Sequence, residues 1–207
     1  MRKLFLFIVC FILFGVGIKA QRFPQAVLPG DYPDPSILRD GKDYYMTHSP
    51  FYYAPGFLIW HSTDLMRWEP VCRALPEYEG SAMAPDLLKY QGRYYIYYPT
   101  STGENYVIYA DDIRGPWSRP VKLDVRGIDP GHVVGEDGKR YLFTNNGWIT
   151  PLSDDGLKVT GKSRKVYDGW KYPANWVTEG KDMYLESPKL LYKDGYYYMM
   201  SAEGGTA

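Results

Sequence analysis

The sequence predicts an all-β protein, and more narrowly a β-propeller. Three observations carry that reading. Tyrosine is the outlier of the composition, with 21 among 207 residues, and with six Trp and eight Phe it lifts the aromatic content to 17%. The 21 Gly and 16 Pro are scattered along the whole chain, and no long segment shows clean helical periodicity. Short aromatic and β-branched runs cut by turn residues read as strands. The third observation is a phrase that occurs four times.

"DPSILRDGKDYYM" starts at Asp34, "APDLLKYQGRYYIYY" at Ala84, "DPGHVVGEDGKRYLF" at Asp129 and "ESPKLLYKDGYYYMM" at Glu186. Each has an acid at or near a proline, then an apolar run, a glycine turn and an aromatic strand. The turn glycines are Gly41, Gly92, Gly138 and Gly195, spaced by 51, 46 and 57 residues. Repeats of that length are what propeller blades look like. Within the first copy, 36–39 reads as a strand, 40–42 as a turn and 43–47 as the returning strand. Further strands follow in "GFLIWHSTDLMRWEPV" at 56–71 and "NYVIYADDIRGPWSRPV" at 105–121. Both end in a turn, a Trp and a short strand. The repeat therefore holds roughly four strands, as a blade does.

The first strand of a blade lies nearest the axis, so its start falls on one face of the ring. Asp34, Asp86, Asp129 and Glu186 sit near that point of their own repeats. Pro33 and Pro35 stiffen the backbone on both sides of Asp34. A ring closure would gather acids that the sequence spreads apart. Crowded carboxylates repel and push their pKa values apart, which is costly to fold and common at functional sites. The plain alternative is that each acid caps a turn beside its proline. Four acids at one point of four repeats favour the cluster. Asp86 fits least well, because its proline precedes it.

Residues 1–20 are predicted to be a signal peptide rather than part of the fold. Arg2 and Lys3 open it, 4–16 is an apolar run too short to span a bilayer, and Ala20 offers a small residue for cleavage. Its removal leaves 21 basic and 24 acidic residues, a net charge of −3. That balance gives no reason to expect nucleic acid as a partner. The expected destination is the periplasm or the outside of the cell, with no stable membrane anchor after cleavage. Only Cys72 remains in the mature chain, which excludes an intrachain disulfide and a cysteine metal cluster. His48, His61 and His132 are far apart and form no ligand pair. The fourth repeat begins near Lys181 and the chain ends at "AEGGTA". Residues 21–207 are thus expected to be about three and a half blades, the N-terminal part of a longer propeller and by themselves inactive.

The ordered set "DYPDPSILRDGKDYYM", "GIDPGHVV" and "ESPKLLYKDGYYYMMSAEGGTA" resembles glycoside hydrolase family 43 over nearly all of residues 28–207. The resemblance implies a five-bladed propeller, truncated here within the fourth blade. It implies hydrolysis of arabinose- and xylose-containing plant-wall polymers and oligomers with inversion at the anomeric carbon. The β-xylosidase and α-L-arabinofuranosidase branches look most similar. Carried over residue by residue, the general base falls on Asp34, the pKa-modulating acid on Asp129 and the general acid on Glu186. Ser187 stands where the family often has Gly, and Glu179 in "VTEG" is a competing acid without the following proline. Inverting hydrolysis needs one carboxylate to activate water and one carboxylic acid to protonate the leaving oxygen.

Sugar rings present C–H faces that pack on flat side chains. Phe51, Trp60, Trp148, Trp170 and Trp176 are the candidate wall, and Asp86 is either a hydroxyl contact or a structural acid. No cofactor is required by this chemistry. The resemblance allows an axial ion such as calcium, which no motif in the chain shows. The expected partner is a pentose-containing oligo- or polysaccharide. A non-catalytic carbohydrate-binding propeller would have lost an acid. A fructan-type propeller hydrolase would show "NDPNG" where this chain has "PDPSI". Neither xylose nor arabinose, and neither exo nor endo action, is singled out by the residues, nor is an oligomeric state.

Overall fold

A computed structural model describes residues 26–78, 80–170 and 185–203. The predicted leader, Glu179 and Trp176 lie outside the described residues. Within them are strands and a single 3-10 turn (Asn145–Gly147). The first sheet is β1 (Ser36–Asp40), β2 (Asp43–Thr47), β3 (Gly56–Ser62) and β4 (Glu69–Leu75). The second is β5 (Asp86–Tyr90), β6 (Arg93–Pro99), β7 (Glu104–Ala110) and β8 (Val121–Arg126). The third is β9 (Gly131–Val134), β10 (Arg140–Thr144), β11 (Trp148–Pro151) and β12 (Arg164–Lys165). A final hairpin joins β13 (Leu185–Lys193) to β14 (Tyr196–Glu203). Strands lie in chain order in every sheet, each antiparallel to the next. These are three four-stranded blades and the first hairpin of a fourth.

The glycine turns close the hairpins as the sequence implies. Gln91–Gly92 and Asp194–Gly195 are two-residue loops in which both residues have positive φ. That geometry matches the right-handed twist of the flanking strands. The first strands of successive sheets are neighbours: β1 touches β5, β5 touches β9 and β9 touches β13. They form the inner layer of the propeller.

Period-two alternation explains the tyrosines. On β6, Tyr94, Ile96 and Tyr98 face the first sheet, where they join Tyr45, Phe57 and Ile59. Tyr95 and Tyr97, one residue out of phase, face the third sheet with Val125, Leu142 and Leu152. A sheet stacked on both sides needs large residues on both faces, so "YYIYY" reads as a continuous run. Arg140 is 1% exposed in the second seam, between the rings of Tyr90 and Tyr95 at 4.5 and 4.4 Å. It donates to Tyr97 Oη and to His132 Nε2. Burial and that guanidinium hold the His132 imidazole neutral, down to about 4.

One backbone feature recurs at each entry to the inner layer. Asp34, Ala84, Asp129 and Ser187 directly precede a proline, and their φ values are +53°, +40°, +58° and +51°. This left-handed geometry is uncommon for any residue but glycine and costs energy. It puts a sharp corner just before each inner strand, in the same place in every repeat.

Candidate active site

The corners place the carboxylates. Asp34 and Asp129 occupy the corner positions of the first and third repeats, and Glu186 stands one residue before the corner of the fourth. Ser49, just past the end of β2, donates its Oγ–H to Asp34 Oδ2 and accepts the backbone N–H of Ala84 at 2.6 Å. One hydroxyl therefore fixes the Asp34 carboxylate and ties it to the corner of the second repeat. Asp129 Oδ2 accepts the N–H of Ser187 at 3.0 Å. This bond brings the third repeat's acid against the residue that follows Glu186.

The three acids feel one another. Partial burial raises the pKa of Glu186 above the ordinary carboxylate value, and the charges of Asp129 and Asp34 add to the rise. Asp129 is 9% exposed, and its pKa is raised by burial first and then by Asp34. The Ser187 N–H and the Lys189 ammonium oppose that rise. Asp34 is solvent-exposed and accepts the Ser49 hydroxyl. The arrangement combines a carboxyl whose pKa is raised, Glu186, with a carboxyl exposed to water, Asp34.

Asp86, for which a hydroxyl contact and a structural role were both open, hydrogen-bonds to neighbouring repeats. It follows its proline, so it is one of the residues just past the corner: Ser36, Asp86, Gly131 and Lys189. It is 8% exposed and both its oxygens are taken, Oδ1 by Lys189 Nζ at 2.8 Å and Oδ2 by His132 N–H at 2.8 Å. It joins the second repeat to the third and the fourth. Ser36 makes the corresponding link from the first repeat, its Oγ accepting Leu87 N–H.

The aromatics divide. Phe51 and Trp60 line a cavity of about 420 Å³ with Pro33, the chain neighbour of Asp34, and Ser49, its hydrogen-bond donor; none of the three acids is itself in the lining. Tyr32 stands edge-on to Trp60 and to His48 there, with ring centroids 5.5 and 4.9 Å apart. Trp148 lies elsewhere, 42% exposed in a groove with Arg126, Asn145 and Lys162 that contains none of the three acids. Trp170 is exposed and tied by its backbone N–H to Glu203. Neither joins the wall beside Asp34.

Ser49 and Lys189 are site residues that the sequence reading passed over. Lys189 was legible: aligning the four residues after each proline sets an Asp in one repeat against a Lys in another. Ser49 carries no such signal, since only the fold brings it to Asp34. Among the described residues no three His, Cys, Asp or Glu side chains converge to hold a metal ion.

Comparison with known proteins decides the family. The sequence profile of "Glycosyl hydrolases family 43" matches residues 23–207. The chain belongs to this family. Family 43 relatives include a "Xylosidase/arabinosidase" of Butyrivibrio fibrisolvens, 34% identical over 87% of this chain and 38% of its own length. A "Xylan 1,3-beta-xylosidase" of a Vibrio species is 36% identical over 87% of the chain and 38% of its own length. Among solved structures, a family 43 protein of Bacillus licheniformis is 35% identical, with a TM-score of 0.75 over 89% of this chain and 39% of that one. A xylan β-1,4-xylosidase of Bacillus halodurans gives 32% and 0.74 over 89% and 39%. The chain thus spans about 38% of the length of the curated relatives it matches. The fold is that of the five-bladed family 43 propeller, of which the described residues form three blades and a hairpin.

Proposed function

We propose that these residues supply the catalytic carboxylates of an inverting glycoside hydrolase that cleaves xylosyl or arabinosyl linkages of plant-wall oligo- or polysaccharides. The observation that carries the reading is the convergence of Asp34, Asp129 and Glu186 from three different repeats, where the charges of Asp129 and Asp34 raise the pKa of Glu186. Asp34, aimed by Ser49, deprotonates the attacking water. Glu186 protonates the departing glycosidic oxygen. Asp129 keeps Glu186 protonated by its charge and holds the adjoining backbone by its bond to Ser187. Phe51 and Trp60 form the apolar wall beside the base. The relatives named xylosidase and arabinosidase support the pentose class. Residues 1–20 act in this reading as an export signal to the periplasm or beyond.

The test is kcat/KM on nitrophenyl pentosides and on pentose disaccharides, in the natural polypeptide that contains these residues. Asp34→Ala should lose about 10²–10⁴-fold on every substrate, because no neighbour replaces the base. Glu186→Ala should lose far more on a disaccharide than on a nitrophenyl pentoside, whose leaving group departs with little help. Uniform losses for Glu186→Ala, or an active Asp34→Ala, would remove these roles.

A further inference from the structure

Between Glu186 and Lys189 the pairing of β13 with β14 slips: Glu186 opposes Ala202, but Lys189 opposes Met200. Two residues on β13, Ser187 and Pro188, thus oppose one on β14, Ser201, which is a β-bulge. Ser187, within it, has φ +51°. The bulge aims Glu186, and an unsupported bulge is a poor platform for an acid. Its supports come from the other repeats. Asp129 takes the Ser187 N–H at 3.0 Å. The Pro188 carbonyl packs on Gly131 so closely that a Cβ there would lie 1.8 Å from its oxygen. At the far end, Lys189 Nζ donates to Asp86 Oδ1 at 2.8 Å, Pro130 O at 2.9 Å and Pro85 O at 3.4 Å.

An ammonium has three protons, and here it meets three oxygens. They belong to the second and third repeats, while the lysine belongs to the fourth. Asp86 is itself fixed, since its second oxygen holds His132 N–H at 2.8 Å. Pro130 adjoins Asp129, so the oxygen that Lys189 grips lies one residue from the acid that grips Ser187. The two contacts form a clamp around the residues after Glu186. We propose that Lys189 is a positioning residue for Glu186, its ammonium fixing the bulge from which the proton donor reaches the leaving oxygen. This rests on the glycosidase reading above.

Displacing a proton donor by about an ångström can cost on the order of 10²-fold. The cost falls only on substrates that need the proton. A strand that merely stabilised the fold would lower all rates alike. The experiment therefore compares Lys189→Met, Lys189→Arg and Asp86→Asn with wild type and Glu186→Ala. Substrates are a dinitrophenyl pentoside, which leaves unprotonated, and a pentose disaccharide, which does not. Lys189→Met should lose roughly 10–100-fold on the disaccharide and less than about threefold on the dinitrophenyl pentoside. Lys189→Arg, which keeps charge and donors, should recover most of the loss. Asp86→Asn still accepts His132 N–H and loses only the ion pair, so it should show the same selectivity in weaker form. It decides the matter if Lys189→Met does not fold. Equal losses on both substrates, or none on either, would overturn the role of Lys189. A wild type inert on both would remove the glycosidase reading and this proposal together. An active wild type with a selective Glu186→Ala and an unselective Asp86→Asn would remove the proposal alone.

Discussion

Asp129 acts on Glu186 by two separable routes, charge and backbone. Its charge raises the pKa of Glu186, and its oxygen holds the N–H of Ser187. Asn at this position retains an acceptor for Ser187 and removes the charge. Glu186 should then ionise more easily. In Asp129→Asn the basic limb of kcat/KM against pH should move to lower pH, while KM changes little. The direction follows because the acid must be protonated to work, and a lower pKa empties that form earlier as pH rises. A basic limb that stays in place would show that Asp129 serves Glu186 through Ser187 alone. Asp34 differs in kind: it is exposed and held by a hydroxyl, so its position matters more than its environment.

At the scale of the element, the corner before each inner strand is the unit that builds the site. Among the described residues four other than glycine take positive φ ahead of a proline, and two of them, Asp34 and Asp129, are acids. The sequence shows the prolines and the repeat plainly, because period-two strands and glycine turns are local signals. The places of Asp34, Asp129 and Glu186 at or beside the corners were legible for the same reason. Asp86 differs locally, because its proline precedes it, but its partners Lys189 and His132 come from other repeats and no local signal names them. Trp148 lines a different groove from Phe51 and Trp60, because an aromatic's type does not say which side of its blade it lines. Gly131 shows how tight the corners pack. Adding a methyl group there collides with the Pro188 carbonyl, a backbone atom that cannot swing aside. Gly131→Ala should destabilise by at least the roughly 1–3 kcal/mol of ordinary overpacking, read as a lower midpoint in urea. An unchanged midpoint would mean that the inner strands separate more readily than this contact implies.

Across the whole molecule, the site is bought at the expense of stability. Asp129 and Glu186 both have pKa values raised in the folded state, so their ionised forms are disfavoured there. The penalty is absent below the unfolded carboxylate pKa, grows as pH rises through the folded value and is complete above it. Glu186→Gln should therefore raise the melting temperature at neutral pH, and the gain should vanish in acid. A gain that persisted at low pH would have a cause other than charge. The stack of sheets also has a mechanical logic. Where each unit touches only its neighbours, stability is roughly a sum of the units and of the seams between them. The Lys189–Asp86 bond departs from that pattern, because it reaches from the fourth repeat past the third to the second. Opening the β13–β14 hairpin therefore strips a counter-charge from a sheet it does not flank. One ion pair thus couples units that share no seam, and the repeats open less one at a time and more as a single cooperative body.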